Sequence, residues 1–401
     1  TVRLAPPPTL YQGGAPYPAA GVPAAQRDVV ASLLYVTDRA RGDGGRRSVI
    51  YGSDRSQSMA FGVARMRFGQ ARDWRAVLAE SVGAPERSGL RLRLLDTAEA
   101  VRWPPTPLPL VGGAAEAAET RARYRDKSDS LQKTIAREIE VTGQRRALVF
   151  IHGYRSSFED ALGSLANIWH YTGRKGLPIA YSWPAGNPGA FGYFSDRESG
   201  AFSVYHLKEF LRLLAAIPTL ERIDVIAHSR GAEVATSALR EMGIRLQGAG
   251  RDPRPVLKIE NLILAAPDLD LGIVRQRLVA ERFARNFGRI TVYLNSEDRA
   301  LALAQWLLTG IRFGRIRPDD LTKADREIFE RLGNVDFIDV ANAVGRASHS
   351  YFRENPAVVS DILRILRTDA PPGAAPRPLE PLGGPFWRLD QGYLRSASPD
   401  T

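Results

Sequence analysis

The sequence predicts an α/β fold in which one mostly parallel, eight-stranded sheet carries helices on both faces. Three observations lead there. Short β-branched runs alternate with longer amphipathic stretches across about half of the chain. Parallel strands need crossovers of about a dozen residues or more, and the amphipathic stretches are long enough to be those crossovers. Finally, 401 residues at 44% hydrophobic content suffice to bury both faces of such a sheet.

Taken in order, the strand-like runs are VASLLYVTD (30–38), SMAFGVARMRF (58–68), ALVFIHG (147–153), LPIAYSW (177–183), IDVIAH (223–228), IENLILAAP (259–267), RITVYLN (289–295) and VDFIDV (335–340). A Pro-rich crossing, WPPTPLPLVGG (103–113), and a polar helical stretch (116–142) separate the first two from the rest. Helical periodicity marks FEDALGSLANIWHY (158–171), SVYHLKEFLRLLAAI (203–217), AEVATSALREM (232–242) and RALALAQWLL (299–308). In the second of these, Val204, Leu207, Leu211 and Leu214 form one apolar stripe. Residues 29–370 read as one catalytic domain. The flanks, 1–28 and 371–401, are rich in Pro and Gly; residues 5–24 read as an extended tether, and Phe386, Trp387 and Tyr393 could dock the other end on the body.

Composition narrows the chemistry. With no cysteine there is neither a disulfide nor a thiolate metal site, and any nucleophile is a hydroxyl, an amine or a carboxylate. No apolar run approaches the roughly 18–20 residues that cross a bilayer. The net charge of +11 rests on 49 arginines and only six lysines. It suits an anionic or membrane surface, or is a solvated face; no zinc-finger spacing or aromatic RNA-binding motif accompanies it, so nucleic acid is not an expected partner. The tether and the lack of cysteine point to a cell-envelope or secreted protein.

The stretch IDVIAHSRGAEVATSAL (223–239) carries the chemistry. Ser229 follows a strand directly and precedes a helix directly, so the turn is too tight for ordinary backbone angles and presents the hydroxyl at the carboxyl edge of the sheet. Ala227 and Gly231 flank it where a larger substituent would collide, and Ala232 and Ala235 let the helix lie close. Such a serine needs a general base, and on this kind of turn the partners follow in the order serine, acid, histidine. Of five histidines only His349, in RASHSYF, lies beyond Ser229. The acid is expected at Asp298 in LNSEDRALAL, with Asp268 in LAAPDLD the competitor and helix capping the alternative role for Asp298. Backbone amides of Arg230 and Tyr154 are the expected oxyanion donors, and His152 reads as structural.

The segments VFIHGYRSSFEDAL, IAYSWPAGN, GYFSDRES, DVIAHSRG, LAAPDLD, NSEDRALALA and SHSY resemble bacterial α/β-hydrolases of unknown function, related to esterases and lipases, over about residues 29–367. The resemblance implies the α/β-hydrolase fold with Ser229, Asp298 and His349 as its triad and no metal or organic cofactor. Two residues depart from the family pattern: Ala227 stands where a glycine is usual, and Arg230 follows the serine where the family often has a less polar residue. The Arg230 side chain either faces the substrate mouth as a cationic handle or points to solvent. Trp183, Phe191, Tyr193 and Phe194 either line an acyl pocket or pack a cap. Arg312, Arg315 and Arg317 either meet an anionic headgroup or are solvated. The expected activity is carboxylic-ester hydrolysis on a lipid-like or anionic ester; amide hydrolysis or acyl transfer on the same triad, or a non-catalytic envelope binding protein, are the alternatives.

Overall fold

Alternating burial along the strands dictates a two-faced sheet. In the computed structural model, Val149, Ile151, Val225 and Ala227 join one apolar cluster, while their neighbours Leu148, Phe150 and Ile226 join the other. The structure describes all residues except 1, 4, 43–49, 83–90, 109–113, 188, 300, 303–310, 345–348 and 396–401, and describes the backbone alone at 2, 3, 114 and 189–191.

Among the described residues the sheet has twelve strands rather than eight: β1 (Val2–Arg3), β2 (Val30–Gly42), β3 (Ile50–Phe68), β4 (Arg91–Arg102), β5 (Arg146–Ile151), β6 (Leu177–Ser182), β7 (Arg222–His228), β8 (Ile259–Ala265), β9 (Arg289–Leu294), β10 (Val335–Asp339), β11 (Glu380–Gly383) and β12 (Phe386–Arg388). Their order is β1-β4-β3-β2-β6-β5-β7-β8-β9-β10-β12-β11. Each of the eight runs singled out in the sequence forms most or all of a strand, and the strands from β2 across to β12 in this order pair in parallel. The additions are at the edges. β4 and β1 extend the antiparallel pair of β2 and β3, and β12 and β11 close the far side.

Helices Ala114–Thr142, Gly189–Ala215 and Gly231–Gly248 bury residues in the first cluster, among them Leu131, Ile135, Phe210 and Leu239. Helices Phe158–Tyr171 and Pro356–Thr368 bury Leu165, Trp169, Ile362 and Leu366 in the second. Ser157 starts the helix Phe158–Tyr171 with a capping box closed by Asp160. The expected helix at 299–308 falls largely outside the described residues.

The tether reading of the amino-terminal segment is overturned. Ala5, Leu10, Tyr11, Ala15, Tyr17 and Val22 are buried. Tyr11 donates to the Tyr171 carbonyl at 2.7 Å, Tyr17 to the His170 carbonyl at 2.6 Å, and the Ala5 amide to Asn167 Oδ1 at 2.7 Å. Composition registers the missing internal periodicity, but the apolar side chains at intervals are contact points that lay this segment along the helix Phe158–Tyr171. The carboxyl-terminal flank is likewise built into the body. It supplies β11 and β12, and its Arg377 makes a bidentate pair with Asp361 at 2.9 and 2.8 Å in which both side chains are fully buried. Tyr293 and Tyr393 donate to the same carboxylate at 2.6 and 2.7 Å.

Burial alone would raise the Asp361 carboxyl, but the Arg377 charge and these hydrogen bonds hold it below the usual carboxylate range. A carboxylate depressed in this way adds stability above its unfolded value and loses it as pH falls through the folded one. Replacing Arg377 by Met strands a buried anion, so urea unfolding at neutral pH is expected to show a loss of about 3–5 kcal/mol. The gap to wild type should narrow toward acid pH as Asp361 is protonated. A loss below about 1 kcal/mol, the level of an exposed pair, would show that the tail is not anchored there.

Candidate active site

The register sets the site. Ile151 pairs with Ala227, His228 with Ala265 and Ala265 with Tyr293, so β5, β7, β8 and β9 end at one level, and the loops beyond them converge. Ser229 comes first off β7, with φ of 52°, the left-handed region that L-residues avoid. Its amide donates to the Ala265 carbonyl at 2.9 Å, and its carbonyl accepts from the amides of Ala232 and Asp268 at 3.1 and 3.2 Å. The helix Gly231–Gly248 then departs at once.

The small residues around the serine are explained by contact. A Cβ on Gly231 would come within 2.3 Å of the His152 carbonyl oxygen, and one on Gly153 within 2.8 Å of the Ser229 Cβ. The loop after β5 therefore lies directly against the serine, with Tyr154, at the end of IHGY, the residue that follows the close approach.

Ser229 Oγ and His349 Nε2 are 2.8 Å apart, and His349 Nδ1 lies 2.7 Å from Asp298 Oδ2. With a carboxylate on Nδ1, that nitrogen carries the proton and Nε2 accepts from the serine hydroxyl. Asp298 is fully buried and also takes the Leu301 amide on Oδ1 at 3.0 Å, so it orients the imidazole and caps the following turn at once. Asp268, the competing acid, is engaged elsewhere. It accepts from Tyr193 at 2.8 Å and pairs with Arg230 at 3.0 Å and Arg312 at 3.5 Å.

That network corrects the solvent-facing reading of Arg230. Its side chain is 4% exposed and not solvated, and its guanidinium is engaged by carboxylates rather than left as an unpaired cationic handle. It bonds Tyr193 and Glu233, packs over the Tyr193 ring at 5.1 Å, and so ties the helix Gly189–Ala215 to the one that follows the serine. With Glu233, Arg230 contributes to the wall of a cleft of about 440 Å³ between those two helices. Arg312 is buried in the same network rather than presented to a headgroup, and Arg315 donates to the Ser296 carbonyl at 2.9 Å, just ahead of Asp298.

The aromatic candidates divide. Trp183 is fully buried, stacked on His152 at 5.1 Å and donating to the His152 carbonyl at 2.7 Å; it supports the loop from behind instead of lining a pocket. Tyr193 is 8% exposed, its hydroxyl held by Asp268 and its ring edge-on to Tyr154 at 5.3 Å. Phe194 is 47% exposed beside it, its ring edge-on to that of Tyr193 at 6.0 Å. The Phe191 side chain lies outside the described residues.

His152 keeps the structural role read from sequence. Burial, and then the Arg39 charge, push its imidazole down to about 3. It is neutral, with Nδ1 donating to the Gly153 carbonyl at 2.9 Å and Nε2 accepting from Arg39 at 3.2 Å. Two supports of His349 escape the sequence reading. His228 donates from Nε2 to the His349 carbonyl at 3.0 Å, and burial holds its ring well below the usual value, hence uncharged. Tyr351, fully buried, donates to the Tyr293 carbonyl and accepts the Ala266 amide, both at 3.0 Å, pinning the His349 segment to the ends of β8 and β9. A histidine beside the serine and a Tyr two residues past His349 are the signals that sequence offers for them. Among the described residues no group of three or more His, Asp or Glu side chains is placed to hold a metal ion.

Residues 127–367 match the family described as alpha/beta hydrolase of unknown function (DUF900), a span that contains Ser229, Asp298 and His349. Two solved structures are similar. A CIB-like hydrolase from Thermoplasma acidophilum shares 15% identity over 55% of this chain and 84% of its own, with a TM-score of 0.28. A protein described as a cell surface hydrolase from Lactobacillus plantarum WCFS1 shares 13% identity over 56% of this chain and 90% of its own, with a TM-score of 0.32. No curated protein matches the chain.

The backbone at Ser229 makes a prediction independent of activity. Glycine occupies this conformation without the Cβ penalty, so Ser229→Gly should be more stable than Ser229→Ala by about 1 kcal/mol in denaturant unfolding. At a position with ordinary negative φ, where glycine loses more backbone entropy than alanine on folding, the order would reverse, and that order would remove the strained turn from the account.

Proposed function

Because the chain belongs to this family of alpha/beta hydrolases, we propose that it is a serine hydrolase cleaving carboxylic esters through a covalent acyl-enzyme. The observation that carries the reading is the unbroken chain Ser229 Oγ, His349 Nε2, His349 Nδ1 and Asp298 Oδ2, with contacts of 2.8 and 2.7 Å. The strained turn under Ser229 adds to it, since sparsely populated backbone angles persist where function requires them.

In the proposed reaction Ser229 Oγ attacks the ester carbonyl carbon as His349 Nε2 takes the hydroxyl proton. The carbonyl electron pair moves onto oxygen and is met by the amides of Arg230 and Tyr154, each worth about 3–4 kcal/mol of barrier. The tetrahedral intermediate collapses, and the leaving alkoxide departs with the proton from the imidazolium. Water then attacks the acyl-enzyme, giving its proton to His349, and the second collapse returns that proton to Ser229 Oγ with release of the acid. Asp298 holds the Nδ1–H tautomer and balances the imidazolium charge throughout. His228, uncharged, leaves the imidazole without a second cation beside it.

Two measurements test this. Intact mass after fluorophosphonate treatment should rise by one phosphonyl group per chain in the wild type and not in Ser229→Ala; an unlabelled wild type would favour a binding protein that keeps the fold without turnover. On p-nitrophenyl esters from acetate to palmitate, with an anilide beside them, Asp298→Asn should lower kcat on the order of 10⁴-fold by imposing the wrong tautomer. His349→Ala should fall at least as far, and equal rates for it and the wild type would remove the assigned base. An anilide rate exceeding the ester rates would point to amide cleavage.

A further inference from the structure

Arg39 is 1% exposed, yet its guanidinium bonds no carboxylate among the described residues. Its Nε donates to Ser182 Oγ at 2.8 Å, and Nη1 donates to the carbonyls of Gly52 at 2.8 Å and Ala185 at 2.7 Å. Nη2 donates to the Ser156 carbonyl at 2.7 Å and to His152 Nε2 at 3.2 Å. The five N–H groups of an arginine are thus all used. Asp196 is the complement. Fully buried, it accepts the amides of Arg155 and Gly186 at 3.1 Å on Oδ2, and the amide and side chain of Asn187 at 3.3 and 2.7 Å on Oδ1.

These two residues, 157 positions apart in the chain, reach the same two loops. The cation takes carbonyls from the segment after β5 and the segment after β6, and the anion takes amides from both. Between the points they hold, 152 and 155–156, lies Tyr154. Arg155 is itself in the left-handed region, with φ of 57°, a conformation that tertiary contacts must impose on a residue with a Cβ. Burial is the main influence on the Arg39 guanidinium and pulls it down to about 10, so it is charged at neutral pH, with Asp38, Asp196 and Asp160 the opposing charges it feels. A structural salt bridge needs neither this arrangement nor this location. What the arrangement does is set the direction of a short stretch of backbone that lies against Ser229.

Resting on the serine hydrolase reading above, we propose that Arg39 and Asp196 are positioning residues for the oxyanion donor at Tyr154, clamping its loop to the loop after β6 from opposite sides. Neither touches substrate. The donor matters most when charge has moved onto the carbonyl oxygen, so loosening the clamp lowers kcat and leaves ground-state binding nearly unchanged.

The test compares wild type, Arg39→Met, Arg39→Lys and Asp196→Asn by steady-state ester hydrolysis and by hydrogen exchange read at individual peptides. In variants that fold, kcat is expected to drop about 10²-fold or more, as for loss of an oxyanion donor, with KM within about threefold of wild type. Lysine keeps the charge but offers three donors from one point, so Arg39→Lys should lose nearly as much as Arg39→Met; recovery in the lysine variant would assign the effect to charge and overturn the clamp. A folded Arg39→Met or Asp196→Asn with wild-type kcat also overturns it, as does a rise in KM at constant kcat. Exchange separates this proposal from the reading it rests on. Should the wild type show neither ester turnover nor phosphonyl labelling, the hydrolase reading fails. Faster exchange of the Arg155, Gly186 and Asn187 amides in the variants, with the helix Pro356–Thr368 unaffected, would still support the clamp, and unchanged exchange there would refute it. Asp196→Asn preserves shape and carries both readouts if the Arg39 variants do not fold.

Discussion

A serine at φ of 52° sits in a region that disfavours an L-residue by about 1–2 kcal/mol, so something must hold it there. The restraint comes from hydrogen bonds on both sides of the residue, its amide to the end of β8 and its carbonyl to two amides beyond. Sterics complete it, because the helix after the serine begins so close to the β5 loop that only glycine fits at 231 and 153. The rest of the site follows from this turn. Once Ser229 is thrust up at the carboxyl edge, the loops after β5, β8 and β9 lie around it, and they carry Gly153, the Asp268 network and Asp298. Two of those loops also turn through the left-handed region, at Arg155 and Ala266.

Histidine presents a different problem, since it lies ten residues beyond β10 rather than directly off a strand. Its position is built from contacts that follow it. Tyr351 ties the segment to β8 and β9, and Phe352 stacks on both Phe150 and His228 at 5.8 and 4.3 Å. His228 then reaches from the residue before the serine to the carbonyl of His349. A hydrogen bond from the residue before the serine to the His349 backbone itself thereby ties Ser229 and His349 together. A second buried carboxylate braces this arrangement from below, where Asp361 gathers β9, the helix Pro356–Thr368 and the carboxyl-terminal flank around a single charge.

The parallel sheet is legible in the sequence because its strands are buried on both faces and read as short apolar runs between amphipathic crossovers. The missing strands each lack that signal for a physical reason. β4, RLRLLDTAEAVR, lies next to the edge and carries charges on its open face, including Asp96 opposite Arg65. β1, β11 and β12 are two to four residues long, too short for any period to register. The gathering of Ser229, Asp298 and His349 is legible from order along the chain and from position after strands. Arg39 and Asp196 are not, since each acts through a fold-dependent contact and nothing in its local pattern separates it from any other polar residue near a strand end, and Tyr351 and His228 are marked only by lying beside residues already singled out. Arg230 is hidden for the same cause: its partner Asp268 is remote in sequence, and local pattern offers that aspartate as a candidate acid instead.

The arginine excess, 49 against six lysines, acquires a partly architectural meaning. Arg39 spans five acceptors on four segments. Arg174, fully buried, lies over the rings of Trp74, Phe68 and Trp169 at 4.5, 4.9 and 5.3 Å and bonds the Gln26 carbonyl, holding the amino-terminal segment to the body. Arg377 forks onto one carboxylate, and Arg230 joins a phenol and two carboxylates across two helices. None of these tasks suits lysine, whose ammonium is a point donor with stronger hydration and therefore a larger penalty on burial. A planar cation that loses water more easily can sit inside the molecule and bond carbonyls in several directions. A basic composition alone is therefore weak ground for inferring an anionic partner for this chain, because some of its arginines are buried in the body where no partner can reach them.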